Sequence, residues 1–81
     1  MEKSIPLPSH VHYELLLQLL ERQTLSATYQ HPHLKNEVRA LIISLRKALS
    51  QQRQLEEECD RVGITVEYRW SLNDAPGRME R

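Results

Sequence analysis

The chain has 81 residues, which is the size of one small domain that buries only a thin core. Eleven basic residues balance eleven acidic ones, so no overall charge directs the chain to nucleic acid or to an anionic membrane. The single cysteine, Cys59, excludes a disulfide within the chain and is compatible with a reducing compartment.

Residues 1–8 predict an extended lead-in, because Pro6 and Pro8 favour extended backbone in the residues before them. This segment lacks the apolar core of a signal peptide. The longest apolar run, residues 15–20, contains Gln18 and is far too short to cross a bilayer. These segments together predict a cytoplasmic protein without a membrane span.

A first helix is predicted to begin after Ser9, which is a favourable N-cap residue. Apolar residues follow at helical spacing to about Gln23. Hydroxyl and β-branched residues then weaken the pattern, so the helix ends either near Thr24 or near Tyr29. Pro32 forbids an uninterrupted helix and predicts a turn before the next one.

A long second helix is predicted from Leu34 to Val62. Pro32 and Gly63 suit its two ends, and Ile42 and Leu49 lie beside its apolar seam. A short link between two amphipathic helices predicts an antiparallel helical hairpin, whose longer second helix projects past the first. Spacings of four and three residues keep the seam on one side of the helix; its members are Leu34, Val38, Leu41, Leu45, Ala48, Gln52, Leu55, Cys59 and Val62.

A β-strand is predicted after Gly63, where apolar and polar residues alternate over residues 64–72. Its backbone groups need a partner, and the short stretch Ser4–Leu7 contains proline and is expected to pair poorly. We therefore expect the strand to pair with the same strand of a second copy; the rival arrangement is a strand left open to augment the sheet of a different protein. Antiparallel pairing about Tyr68 would place Glu67 opposite Arg69 of the other copy.

The predicted fold class is mainly α: an antiparallel helical hairpin followed by one C-terminal strand that pairs across a homodimer. Residues 9–72 form this unit, residues 1–8 lead into it, and residues 73–81 are predicted to be a disordered tail. The predicted dimer or partner interface consists of Leu41, Leu45, Leu49, Leu55, Val66, Glu67, Tyr68, Arg69 and Trp70.

The sequence predicts no enzyme activity, no cofactor and no metal site. The histidine pairs at residues 10–12 and 31–33 lie at opposite ends of the first helix, roughly 30 Å apart. No cysteine or acidic residue completes a ligand set beside either pair. Cys59 follows three glutamates and precedes Asp60, which disfavours a thiolate, and the chain has no glycine-rich phosphate loop.

A basic ridge on the long helix is the candidate contact for an anion or a charged partner; its members are Arg39, Arg46, Lys47 and Arg53. Acidic residues follow it between positions 56 and 60. This dipolar pattern suits antiparallel self-pairing or a charged protein better than DNA. The predicted function is a small adaptor, assembly or regulatory factor that binds proteins as a homodimer. A nucleic-acid-binding regulator that uses the basic ridge is the alternative.

Three stretches carry a resemblance: residues 5–24 read IPLPSHVHYELLLQLLERQT, residues 44–49 read SLRKAL, and residues 68–72 read YRWSL. In these the chain resembles a small family of uncharacterised cyanobacterial proteins, over most of its length. The resemblance implies a cytosolic or thylakoid-peripheral setting in a photosynthetic bacterium. It implies no assigned activity and transfers no catalytic or binding residue.

Overall fold

The computed structural model describes residues 4–72. The first helix consists of three consecutive segments, of which the middle one is π-helical, and the long helix is continuous. In chain order the elements are β1 (Ser4–Pro8), α1 (His10–Leu19), a π-helical turn (Leu20–Thr24), α2 (Leu25–Ala27), α3 (Pro32–Arg61) and β2 (Thr65–Arg69).

The first helix begins where the sequence predicts it. Ser9 is buried, and its Oγ accepts a hydrogen bond from the Val11 N–H at 3.3 Å, as an N-cap does. Within the π-helical turn the spacing of backbone hydrogen bonds widens, and the Leu25 N–H bonds to the Leu20 carbonyl oxygen five residues back. The last segment ends at Ala27, between the two ends that the sequence left open.

The long helix begins with Pro32 at its first position, where the missing N–H has no helical partner to lose. It ends before Gly63, whose φ of 79° lies in the left-handed region that favours glycine. The Ile64 N–H then bonds to the Cys59 carbonyl oxygen at 2.7 Å. This bond turns the chain back along the end of the long helix, so that β2 packs against it.

The predicted fold class is wrong in its sheet. β2 pairs within the chain with β1, in parallel, and the register runs from Ser4 opposite Thr65 to Pro8 opposite Arg69. The predicted antiparallel pairing about Tyr68 with a second copy is therefore replaced by an intramolecular pair. Glu67 meets its own chain's Arg69, whose Nη2 donates to Glu67 Oε1 at 3.2 Å.

The two prolines do not prevent the pairing because of the edge on which they fall. Successive N–H groups of a strand point to opposite edges. The Ser9 N–H donates to the Arg69 carbonyl oxygen at 3.2 Å, so the N–H groups of Ile5 and Leu7 face β2 as well. Pro6 and Pro8 consequently lack their N–H on the open edge, where the ladder needs no donor.

The two helices are antiparallel, because their contacts run in opposite directions along the chain. His10 bonds to Glu56, Tyr13 bonds to Gln52, and Glu21 pairs with Arg46. The contact side of the long helix is rotated from the predicted seam towards Ile42 and Leu49, which are 8% and 9% exposed. The apolar side of this helix is wider than one neighbouring helix can cover, so part of the seam stays outside.

The described part of the chain is a flat layer. The Cα atoms span 55 × 34 × 13 Å. Within residues 4–72 the elements are one helix pair and one two-stranded sheet at an end of that pair, so no further element covers the exposed apolar residues of the long helix. The predicted disordered tail, residues 73–81, lies outside the described residues.

Candidate functional site

A row of exposed apolar side chains runs along the long helix. Its large members range from 44% to 63% exposed, and Ala48 is half-buried. Seven residues fall about 20° short of two full turns, so the members lie about 10 Å apart in a row that winds slowly around the helix. We call this row the apolar stripe; it consists of Leu34, Leu41, Ala48, Leu55 and Val62.

The opposite side of the layer is polar. A groove of about 350 Å³ between the two helices is lined by charged and polar side chains over Leu17 and Leu49. Arg46 pairs with Glu21 across this groove. The two faces of the layer thus differ in chemistry, and the apolar stripe is the more distinctive surface. The polar lining residues are Glu14, Gln18, Glu21, Arg46, Ser50 and Arg53.

The predicted interface residues of the long helix do not all reach the surface. Leu41 and Leu55 belong to the apolar stripe, at 53% and 44% exposed. Leu45 is half-buried beside it. Leu49 is 9% exposed and packs inside the chain. The structure therefore brings Leu41 and Leu55 together on one surface and places Leu49 in the core.

The predicted interface residues of the strand differ in exposure. Tyr68 and Trp70 are 47% and 58% exposed. Val66, Glu67 and Arg69 are half-buried, and the last two form the ion pair described above. Only the two aromatic residues therefore offer a large surface for contact.

The histidines at the start of the first helix pack against these aromatic rings. The His10 ring meets Tyr68 edge-on, with ring centroids 5.6 Å apart. His12 meets Trp70 in the same way, also at 5.6 Å. Such edge-to-face pairs stabilise a fold by about 0.5–1.5 kcal/mol beyond their buried area. Across residues 4–72 no three histidine, cysteine, aspartate or glutamate side chains are grouped to hold a metal ion.

The basic ridge keeps its exposure but is partly neutralised. Arg39, Lys47 and Arg53 are exposed on the long helix. Arg46 is engaged by Glu21. This ion pair across the helices leaves less free positive charge on the ridge than the sequence alone suggests. The ridge is therefore a weaker candidate site than the apolar stripe.

A polar network at the junction of helices and sheet is the feature that sequence reasoning missed. The Tyr13 hydroxyl donates to Gln52 Oε1 at 2.7 Å. Gln52 Nε2 donates to the Pro8 carbonyl oxygen at 2.8 Å and to Glu56 Oε2 at 2.9 Å. His10 Nε2 lies 2.7 Å from the same carboxylate oxygen. A glutamine within an apolar seam was the available signal, but it does not identify its partners.

The network shifts the titration of two of its members. Burial raises the pKa of the Glu56 carboxyl, but hydrogen bonds from Gln52, His10 and Tyr68 outweigh it and hold that pKa below the ordinary 4.5. The hydrogen bond between Tyr68 and Glu56 also raises the pKa of Tyr68 above its ordinary 10.0, because the Tyr68 hydroxyl donates to the Glu56 carboxylate and is partly desolvated. The junction is therefore arranged around a charged Glu56.

No helix within residues 4–72 combines the length and the hydropathy needed to cross a membrane.

These features define a small, mainly helical chain: a flat pair of antiparallel helices closed at one end by a parallel two-stranded sheet. The chain belongs to a family of unknown function, DUF5340, which matches residues 1–71. It is 51% identical over 77 residues to an "Uncharacterized 9.3 kDa protein in soluble hydrogenase 5'region" of Anabaena cylindrica, covering 95% of this chain and 94% of the relative. The resemblance to uncharacterised cyanobacterial proteins is thereby confirmed. No solved structure matches the chain.

Proposed function

We propose that this protein is a small non-catalytic protein–protein interaction module that acts as a homodimer, in the role of an adaptor, assembly or regulatory factor. The observation that carries the proposal is the apolar stripe, which lies exposed on the long helix and is covered by no other element within residues 4–72. Exposed apolar area costs roughly 25 cal/mol per Å², and contiguous patches of it typically mark contact sites.

A second copy is the partner that the architecture favours. Domains are commonly built from packed layers around a shared core, whereas residues 4–72 supply only one helix pair and a two-stranded sheet. Among the described residues not one large side chain is completely buried. Two copies placed face to face would supply the second layer and a core of four helices. Self-association is also a common source of stability for chains of this size.

The non-catalytic part of the proposal is supported by the position of Cys59. This thiol is the one cysteine of the chain; it is 3% exposed and is therefore out of reach of a substrate. Its free and buried state also suits the cytoplasm, where we place the protein. The Arg46–Glu21 pair favours a protein partner over nucleic acid, since it neutralises part of the basic ridge.

Analytical ultracentrifugation of the full chain tests the proposal. We expect a dimer at micromolar concentration, and Leu41→Glu should yield monomers because it places a charge in the apolar stripe. Ile43→Glu is the matched control, since Ile43 is 56% exposed and lies outside the stripe. Circular dichroism confirms that both variants remain helical.

A wild-type chain that stays monomeric up to roughly 100 µM would contradict the homodimer, since stable interfaces of standard size bind well below this concentration. Electrophoresis with generic duplex DNA at low salt tests the other function class. A shift that fades steeply as salt is added would support nucleic-acid binding through the basic ridge instead.

A further inference from the structure

We infer that two copies pair through their long helices, antiparallel to each other, about a two-fold axis at Ala48. The inference rests on the proposed homodimer and specifies its geometry. The apolar stripe is symmetric about its centre: Ala48 has two large apolar residues on each side, at equal spacings of seven. An isologous contact needs such a self-complementary surface, because each residue meets its counterpart across the axis.

The counterparts across this axis fit in size and chemistry. Ala48 would meet its own copy, Leu41 would meet Leu55, and Leu34 would meet Val62. The residue on the axis is the smallest of the five. It lets the two helices approach closely at the centre, where the interaxial distance is set by the side chains in contact. The large side chains then close the contact on both sides.

The charge of the long helix favours this orientation over a parallel one. Its first half is net basic and its second half is net acidic, so antiparallel copies set unlike halves side by side and parallel copies set like halves together. The basic side chains of the first half outnumber its one acid, and the acids of the second half outnumber its two arginines. The charged residues are Lys35, Glu37, Arg39, Arg46 and Lys47, followed by Arg53, Glu56, Glu57, Glu58, Asp60 and Arg61.

One pair of like charges comes close in this arrangement, and the chain supplies its counter-charge. Glu37 and Glu58 each follow a stripe leucine by three residues, so they flank the stripe on the same side. With the axis at Ala48, the exact counterpart of Glu37 is Cys59 of the other copy, so Glu58, one residue earlier and on the same side of the stripe as Glu37, lies close to it. Arg61 already pairs with Glu58 in its own chain and is exposed. It would therefore lie between the two carboxylates in the dimer.

Disulfide trapping tests the geometry in the full chain. Cys59→Ala removes the native thiol, and Ala48→Cys or Leu34→Cys then adds one thiol on the stripe. Under mild oxidation we expect covalent dimers from Ala48→Cys, whose two copies meet on the axis. We expect none from Leu34→Cys, whose copies would lie about 42 Å apart. An equal mixture of Leu34→Cys and Val62→Cys chains should give the mixed dimer.

The outcomes separate this inference from the proposed function. A monomeric parent in the ultracentrifuge removes both. A dimeric parent whose Leu34→Cys chains cross-link with each other is parallel and overturns the geometry. A dimeric parent in which neither thiol cross-links also overturns it, since the partner's first helix would then cover the stripe. Arg61→Glu should weaken a correct dimer about tenfold, whereas Arg22→Glu, an exposed charge reversal on the first helix, should leave its Kd unchanged.

Discussion

The side-chain amide of Gln52 donates a hydrogen bond to the backbone carbonyl oxygen of Pro8 at 2.8 Å. Pro8 is the last residue of β1, and Gln52 lies in the long helix, so the bond joins the sheet to the helix pair. The Tyr13 hydroxyl donates a hydrogen bond to the same glutamine, so the first helix is joined to this contact as well. Gln52 itself is 5% exposed, so its buried amide depends on these partners for its hydrogen bonds.

Gln52→Leu should destabilise the protein by about 1–3 kcal/mol, because it removes part-buried hydrogen bonds to the Tyr13 hydroxyl and the Pro8 carbonyl oxygen, each of which contributes about 0.5–1.5 kcal/mol. Urea unfolding followed by circular dichroism measures the change. Gln51→Leu is the control, since Gln51 is exposed and its replacement should change stability by about 0.5 kcal/mol or less. Equal effects of the two substitutions would mean that the network adds no stability.

Ile42 and Ile43 form a matched pair for locating the core. Ile42 is 8% exposed against the first helix, whereas Ile43 is 56% exposed. Ile42→Ala should cost about 2–5 kcal/mol through lost burial and a residual cavity. Ile43→Ala should stay within about 0.5 kcal/mol. Thermal melts of both variants measure the two losses of stability. A larger loss for Ile43→Ala than for Ile42→Ala would mean that Ile43, and not Ile42, faces the first helix.

Glu56 predicts a loss of stability in acid. Its pKa is lower in the folded chain than in the unfolded one, so its contribution is complete above the ordinary pKa of 4.5 and is lost as the pH falls through the lowered folded value. Urea midpoints at about pH 7 and about pH 3 measure this dependence. Glu56→Gln should narrow the difference between them.

Glu57→Gln is the control for the acid dependence, because Glu57 is exposed on the same helix turn. It should keep the wild-type difference between the two pH values. A Glu56→Gln chain that loses as much stability in acid as the wild type would show that other groups control the acid transition.

The parallel pairing of β1 with β2 predicts a position-dependent tolerance of proline. Leu7→Pro should break the ladder, because the Leu7 N–H faces β2, whereas Ser4→Pro should be tolerated on the open edge. The measurement is hydrogen exchange of the Thr65–Arg69 amides, which lose protection if the ladder is broken. Leu7→Ala separates loss of the side chain from loss of the donor. Undiminished protection in Leu7→Pro would place the partner of β2 elsewhere.

The helices were predictable because their signals are local. Ser9, Pro32 and Gly63 fix helix ends through groups within a few residues of themselves, and the apolar spacing shows which residues share a side. The π-helical turn left no such signal, because its residues are ordinary helix formers. The spacing also identified Leu41 and Leu55 as surface candidates, but it could not tell which half of a wide apolar side the first helix would cover.

The sheet was not predictable because its partner lies far away in the sequence. The sequence shows that proline lacks an N–H donor, but it does not show which edge of the strand each residue faces, and for Pro6 and Pro8 that edge decides whether the ladder can form. The network around Gln52 was not predictable for the same reason, because its partners also lie far away in the sequence. A single polar residue in a seam shows that a partner is needed, whereas the identity of the partner depends on tertiary contacts over some 40 residues.

The register of β1 against β2 also sets the order in which the protein can be assembled. Ser4 pairs with Thr65, so the two strands are separated by about sixty residues of chain, and closing so long a loop costs more entropy than local contacts do. The helices form from near neighbours and can pair first. On the ribosome β1 is made well before β2, so it waits unpaired for several seconds at about 5–20 residues per second. The missing donors of Pro6 and Pro8 leave one edge of the waiting strand a poor template for another chain.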